Sequence, residues 1–375
     1  MLGIYVHLPF CPYVCPYCDF AKWRYDGAAA RRYLRALAAQ LDAGPSRPAA
    51  TLFLGGGTPN TYATADLAEL VARIRERFSL SMDAEATIEV NPDLALCGAF
   101  GALRRAGLSR LSIGVQSFVP RELQVLGRRH APEDVAEAVR RARAAGFTNV
   151  SLDLMFGVPG QTVASWATSL EAAIALEVDH VSTYGLTVEA GTPYARWQAR
   201  EPGAFADPDF EAELYALAIE RLRSAGYEQY EVSNFAQPGR RCAHNANYWA
   251  NGEYLGLGVG AASYADGTRS ATTRDLDVFC EAATAGRPIP AERETLAGPA
   301  RVGEATMLAL RTNAGVDVRL FAERYGIDFL EMYATVLDEL RAAEAIVATP
   351  DTVKLTDRGR FLANDVCGAF LEPAP

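Results

Sequence analysis

The sequence predicts an α/β fold: a partial (β/α)6 TIM-like barrel followed by a mostly helical, winged-helix-like C-terminal domain. Three observations carry this. Short β-branched runs alternate with longer amphipathic stretches through the first half of the chain. The alternation loosens after Gly226, two units short of a closed eight-stranded barrel. The polar residues that stand out fall at the C-terminal ends of the strands, where parallel sheets bind ligands.

Taken in order, Gly3 to His7 is the first strand and Asp26 to Ala43 the first helix. Thr51 to Leu54 is a strand running into Gly55-Gly56-Gly57. Thr64 to Phe78 is a helix with Leu67, Leu70, Val71 and Ile74 on one face. Ala86 to Val90 is a strand, and Asp93 to Ala106 a helix stopped by Gly107. Leu111 to Val115, Val150 to Met155 and His180 to Tyr184 complete six strands. The helices Pro132 to Ala145 and Val163 to Leu176 separate them, and Asp207 to Gly226 follows. The Gly/Pro-rich stretch 286–299 is the expected linker, dividing 1–285 from 300–375. Beyond it, helices are expected at Ala300–Arg311, Val318–Tyr325 and Phe329–Ala343. A hairpin, Ile346–Ala348 with Val353–Leu355, and a last helix from Asp357 to about Phe370 complete the domain. No dense basic stripe runs through this segment, and the net charge is −10, so no nucleic-acid partner is expected.

Seven cysteines, an odd number, argue against a disulfide framework. No apolar run reaches the roughly 18 residues of a membrane span, and Met1 to Phe10 lacks a basic leader, so the expected compartment is the cytoplasm. Three cysteines cluster in Cys11-Pro-Tyr-Val-Cys15-Pro-Tyr-Cys18, a C-x3-C-x2-C loop kept out of helix by Pro12 and Pro16. Thiolates at such spacings hold iron–sulfur clusters, or zinc if His7 or a distant cysteine supplies a fourth ligand. Cys97, Cys280 and Cys367 sit in apolar helical settings and are taken as packing residues. His130 and His180 have no visible partners and are taken as structural.

The other strand ends carry candidates, each with a plainer alternative. Gly56, Gly57 and Thr58 form a loop that lets the backbone approach a ligand, or simply a tight turn. Glu89 could accept bonds from ribose hydroxyls, or cap the next helix. Gln116 ends the fourth strand. Arg128 could pair with a carboxylate in a fork, or be a solvated helix-end arginine beside Arg129. Asp153 lies in an apolar strand and needs a partner. Tyr5 precedes the cysteines by six residues.

The cysteine spacing, with Tyr17 before the last cysteine, resembles the radical S-adenosylmethionine (SAM) superfamily. That resemblance implies a [4Fe–4S] cluster on Cys11, Cys15 and Cys18, with SAM bound at the open iron through its amino and carboxylate groups. The cluster would supply the electron that cleaves the sulfonium. From Tyr5 to the C-terminal domain the chain resembles the branch that contains oxygen-independent coproporphyrinogen III dehydrogenase. By it, Tyr5, Gly56, Gly57, Thr58, Glu89, Gln116, Arg128 and Asp153 are the implied SAM site.

Two departures separate the chain from that dehydrogenase: Phe20 stands where it has a further cysteine, and only ten residues precede Cys11. Both fit the HemW-type heme chaperones, which carry His-Asn-x-x-Tyr-Trp. Here that motif is His244-Asn245-Ala246-Asn247-Tyr248-Trp249. The resemblance implies heme at His244, with Cys242, Tyr248 and Trp249 beside it. It also implies delivery to an acceptor hemoprotein, a respiratory membrane enzyme contacted transiently, and a homodimer. The residues alone favour the plainer reading of His244, a loop histidine bonded to backbone; the resemblance is what points to heme. Whether the chain is an enzyme stays open, with a radical SAM oxidoreductase acting on a porphyrinogen as one alternative and a zinc-stabilised barrel as another.

Overall fold

The computed structural model describes residues 1–95 and 100–371. Cys97, and with it part of the expected helix Asp93–Ala106, lies outside them. Six parallel strands form the core, as expected: β1 (Gly3–Leu8), β2 (Thr51–Gly56), β3 (Glu85–Val90), β4 (Arg110–Gln116), β5 (Asn149–Phe156) and β6 (His180–Gly185). Helices α1 (Gly27–Ala43), α2 (Thr64–Arg77), α3 (Pro132–Ala144) and α4 (Val163–Ala175) connect and cover them. The shorter helical pieces Pro92–Ala95 and Phe100–Arg105 lie between β3 and β4.

What the sequence left irregular is an extension of the sheet at both edges, antiparallel except for one strand. After α5 (Pro208–Ser224), β7 (Glu228–Gln229) and β8 (Asn234–Ala236) turn back along β6. Helix α6 (Ala243–Trp249) then crosses to the opposite edge. There β9 (Tyr254–Leu257) runs parallel to β1, with Gly3 opposite Tyr254 and Val6 opposite Leu257. β10 (Ala262–Ala265), β11 (Thr268–Thr272) and, after α7 (Leu276–Thr284), β12 (Ala291–Thr295) extend this side. Among the described residues the sheet has twelve strands in the order β12-β11-β10-β9-β1-β2-β3-β4-β5-β6-β8-β7.

Part of the stretch expected as a linker is therefore β-structure: Ala291–Thr295 pairs along Thr268–Thr272 despite being exposed throughout. Its charged residues, Glu292, Arg293 and Glu294, suit an edge strand, which must not recruit another chain. Beyond it a second core forms around Leu310, Phe329, Tyr333, Val353 and Phe370, separate from the barrel core. The two expected long helices here are each broken, at Tyr333 and at Leu362. The hairpin is present and gains a third strand, Val316–Asp317. Cys280 and Cys367 are buried packing residues, as expected. Among the described residues no helix is long and apolar enough to cross a membrane.

The end of β1 is pinned by one side chain. Tyr33 of α1, fully buried, donates from its hydroxyl to the His7 carbonyl at 2.6 Å and accepts from the Val259 amide at 3.2 Å. Removing that oxygen leaves two buried backbone groups unpaired, each costing about 1–3 kcal/mol. Tyr33→Phe is expected to lower stability by about that amount without changing the shape of the core. The midpoint of chemical denaturation, compared with wild type at equal slope, checks it.

Candidate functional site

The cysteine loop leaves the C-terminal end of β1 and lies over the barrel mouth. Cys11, Cys15 and Cys18 all face one cavity of about 510 Å³, together with Gly56, Gly57, Thr58, Glu89, Gln116, Arg128 and Asp153. Seven of the eight residues assigned to the SAM site therefore meet the cysteines at one place. The Cys11 thiol, desolvated, is pushed up to about 11; burial also raises Cys18. Thiols raised this way stay protonated until a metal displaces the proton.

The glycine loop works differently from the simple ligand cradle its composition suggests. The Gly57 amide bonds the Leu8 carbonyl at 2.9 Å and the Thr58 amide the Phe10 carbonyl at 3.0 Å. The Gly56 amide bonds Glu89 Oε2 at 3.0 Å. All three amides are spent on protein acceptors, and those of Gly57 and Thr58 stitch the end of β2 to the segment that delivers Cys11. A Cβ on Gly57 would lie 2.6 Å from the Leu8 carbonyl oxygen, so no larger residue fits there. Gly127 plays a similar part: a Cβ would meet Pro16 at 2.9 Å, where the cysteine loop packs beside Arg128.

Arg128 is no solvated helix-end residue. Its guanidinium donates to Asn91 Oδ1 at 2.8 Å and to the Gly114 carbonyl, and reaches Cys15 Sγ at 3.9 Å. Its Nε is buried without a partner. The neighbour Arg129 is the exposed one, lying over the Tyr13 ring at 4.9 Å. Gln116 follows a bulge between β4 and β5 and adopts φ 68°, a left-handed conformation unfavourable for glutamine. Strain of this kind collects at binding sites.

Two carboxyls sit close together on the cavity floor. Asp153 accepts from Ser112 Oγ at 3.0 Å to each oxygen, and burial raises its pKa. Glu89 is raised to about 7, first by burial and then by the charge of Asp153. A cationic ligand in the cavity would relieve both.

Tyr5 lines the adjoining cavity, within reach of the Glu89 charge. Along β1, Ile4, Val6 and Leu8 pack into the core, while Tyr5 and His7 point into a second cavity of about 970 Å³. The Tyr5 hydroxyl donates to His7 Nδ1 at 3.0 Å, and His7 Nε2 donates to the Ala21 carbonyl at 2.7 Å. His7, with both nitrogens engaged, is not a fourth metal ligand. Among the described residues no three His, Cys, Asp or Glu side chains are placed to hold a single metal ion. Three soft thiols around one roomy cavity do suit a cluster, three of whose irons would each take one cysteine.

The second cavity adjoins the first. Asp19 and Phe20, directly after Cys18, line both. Tyr248 and Tyr254 supply aromatic wall to the second, their rings edge to face at 4.6 Å. His244 lies just behind Tyr248, only 1% exposed. Its Nδ1 bonds Thr51 Oγ1 at 2.8 Å and its Nε2 bonds the Tyr248 hydroxyl at 2.8 Å. Desolvation pushes its pKa down to about 3, so the imidazole is neutral at physiological pH. Of the four residues assigned to heme, Tyr248 alone lines the cavity. Cys242 is fully buried, its thiol on Glu85 Oε1 at 3.4 Å and raised to about 12. Trp249 is half-buried, with Arg311 over its ring at 6.0 Å.

Sequence reasoning missed the residues that fix these side chains. Glu85, at the start of β3, takes the Ala243 amide at 3.0 Å and the His244 amide at 2.9 Å, capping α6. Asn91 holds Arg128, and Thr51 orients His244. Nothing local in the sequence marks them; their partners are distant along the chain. His180, left as structural, joins Ser151 at 2.8 Å and Tyr230 at 2.9 Å in the barrel interior. His130 is buried beside Arg128.

The chain matches the radical SAM superfamily over residues 5–173 and the HemN C-terminal domain over 296–362. It is 36% identical over 377 residues to the heme chaperone HemW of Bacillus subtilis, covering 99% of each chain. It is 33% identical over 380 residues to the Escherichia coli protein of the same name, covering 99% of this chain and 98% of the other. Among solved structures it is similar to coproporphyrinogen III oxidase (HemN) from Escherichia coli, described as a radical SAM enzyme. That likeness has a TM-score of 0.86 and 25% identity, over 98% of this chain and 89% of that one.

Glu89 gives a pH test of the cavity floor. Its folded pKa lies above the unfolded carboxyl value. Ionising it therefore costs stability as pH rises from about 4.3 toward 7, and the full cost remains above that. Glu89→Gln keeps an acceptor for the Gly56 amide and removes the cost. The variant is expected to gain up to about 3 kcal/mol on wild type at pH 8 and almost nothing at pH 4, by denaturant titration at the two pH values. A gap independent of pH would contradict the assignment.

Proposed function

We propose, for a chain that belongs to the HemW family of heme chaperones within the radical SAM superfamily, that it binds heme in the larger cavity and hands it to an acceptor hemoprotein. The observation that carries this reading is the state of His244. A histidine that ligates a metal is usually neutral, with its second nitrogen fixed by an outer hydrogen bond. His244 meets both conditions: Thr51 fixes Nδ1, and burial keeps the ring neutral. Nε2 is capped by one hydroxyl, that of Tyr248, whose ring lines the cavity. Displacing that hydroxyl presents Nε2 to a heme iron, with Tyr254 and Phe20 beside the porphyrin face.

Cys11, Cys15 and Cys18 would hold a [4Fe–4S] cluster, and the glycine loop, Glu89, Gln116, Arg128 and Asp153 would hold SAM. When bound, the cluster supplies an electron-transfer centre whose open iron takes the cofactor. The chain's own part is to keep two carboxyls and one arginine desolvated and oriented around that place. The buried Arg128 Nε, still without a partner, is suited to an anionic group such as a carboxylate. Cys242, sealed behind Glu85, supports α6 in this reading and is no attachment point for heme. The acceptor is a respiratory membrane enzyme met from the cytoplasm, and the working unit a homodimer; these follow from the family resemblance.

Heme titration of anaerobically reconstituted protein, followed by absorbance, tests the site. Wild type is expected to take up one heme. His244→Ala is expected to weaken uptake at least tenfold and abolish the nitrogen-ligated spectrum, whereas Tyr248→Phe, which removes the cap, keeps both. Loss of uptake in Tyr248→Phe with an unchanged spectrum in His244→Ala would move the ligand to Tyr248. No uptake by wild type would overturn the chaperone reading in favour of porphyrinogen chemistry. In the same preparations, replacing all three of Cys11, Cys15 and Cys18 by alanine is expected to remove iron and sulfide together. Stoichiometric zinc in the wild type instead would contradict the cluster.

A further inference from the structure

We propose that Arg274 is the carboxylate-binding residue of the larger cavity: it exchanges Asp19 for a carboxylate of the bound porphyrin, and so releases the Asp19–Phe20 wall that separates the two cavities. This rests on the reading that the chain binds heme. The wall is the point where the two sites touch, because Asp19 and Phe20 line both and follow Cys18 without a break. It is held from the larger-cavity side. His7 bonds the Ala21 carbonyl at 2.7 Å, and Arg274 bonds both the Asp19 carbonyl and, at 3.4 Å, the Asp19 carboxylate.

The relative strength of the cavity's cations decides which of them a ligand can recruit. Arg269 is committed: it bonds Glu304 at 2.7 Å, a carboxylate only 11% exposed, and lies over the Tyr264 ring at 5.4 Å. Arg274 and Asp19 are 62% and 48% exposed, and their ion pair is long. Pairs of that kind contribute little, so a second carboxylate can displace the first at small cost. The remaining charged group on the rim, Glu292, repels a carboxylate, which leaves Arg274 as its partner. Phe20, a large aromatic 64% exposed at the same wall, has a ring available for a flat ligand. A porphyrin whose ring meets Phe20 and whose propionate takes Arg274 removes the arginine clamp from the residue next to Cys18. Occupancy of the larger cavity is then felt at the cysteine loop.

Heme and its dimethyl ester, titrated by absorbance into the reconstituted full-length protein, separate the possibilities. Arg274→Gln is expected to weaken heme about tenfold, with Arg274→Lys recovering part of the loss, while the ester binds wild type and Arg274→Gln equally. Asp19→Asn, which removes the competing carboxylate, is expected to tighten heme. Zinc protoporphyrin IX is expected to shift the paramagnetic resonance signal of the reduced cluster in wild type and leave it unmoved in Arg274→Gln. Equal heme affinity in wild type and Arg274→Gln overturns this proposal alone. A porphyrin-induced shift that survives Arg274→Gln overturns the release of the wall. Absence of heme binding by wild type overturns the heme reading and this proposal with it.

Discussion

Everything else in the molecule depends on the pairing of β1 on both of its edges. It hydrogen-bonds β2 on one side and β9 on the other, both in parallel. One six-residue strand therefore aligns the cysteine loop at its own end, the glycine loop at the end of β2 and Tyr254 at the start of β9. The alternation of side chains along it sends Ile4, Val6 and Leu8 into the core and Tyr5 and His7 to the second cavity. Tyr33 then locks the end of the strand to the turn after β9. Without that double pairing the barrel and the larger cavity would have no common frame.

The electrostatics of the two cavities differ because their burial differs. The floor of the cysteine cavity keeps Glu89 and Asp153 desolvated near one another, a costly arrangement that a cofactor with a positive centre would relieve. Behind the second cavity, desolvation instead keeps His244 neutral, which is the ligating form of imidazole. Glu85 links the two regions mechanically, leaving β3 at the barrel's lower end to cap the helix that carries His244. The two cavities thus share a scaffold, with Asp19 and Phe20 lining both.

The barrel and the cysteine cavity were legible in the sequence because their signals are local. Six strand–helix alternations, a tight cysteine spacing and glycines at a strand end each appear within a few residues. The sheet extension was not legible, since strands of two to five residues acquire their pairing from partners elsewhere in the chain. That Tyr5 lines the larger of the two adjoining cavities was not legible, because a period of two says that alternate residues share a face, never which face is inward. The exposure of His244 was likewise unreadable. Its surroundings, Thr51, Phe53 and Glu85, come from strands over 150 residues away in the chain. Arg274 and Asp19 carried no motif at all; only the cavity boundary singles them out.

The central claim is delivery, and one measurement addresses it most directly. Protein loaded with one heme is mixed anaerobically with membranes from heme-depleted cells, then separated by sedimentation, and the heme spectrum of each fraction is recorded. The account predicts that heme leaves the soluble protein and appears in the membranes as a ligated, reducible hemoprotein, faster than free heme does at equal concentration. Heme retained by the protein, together with turnover of coproporphyrinogen III by the same preparation, would contradict it.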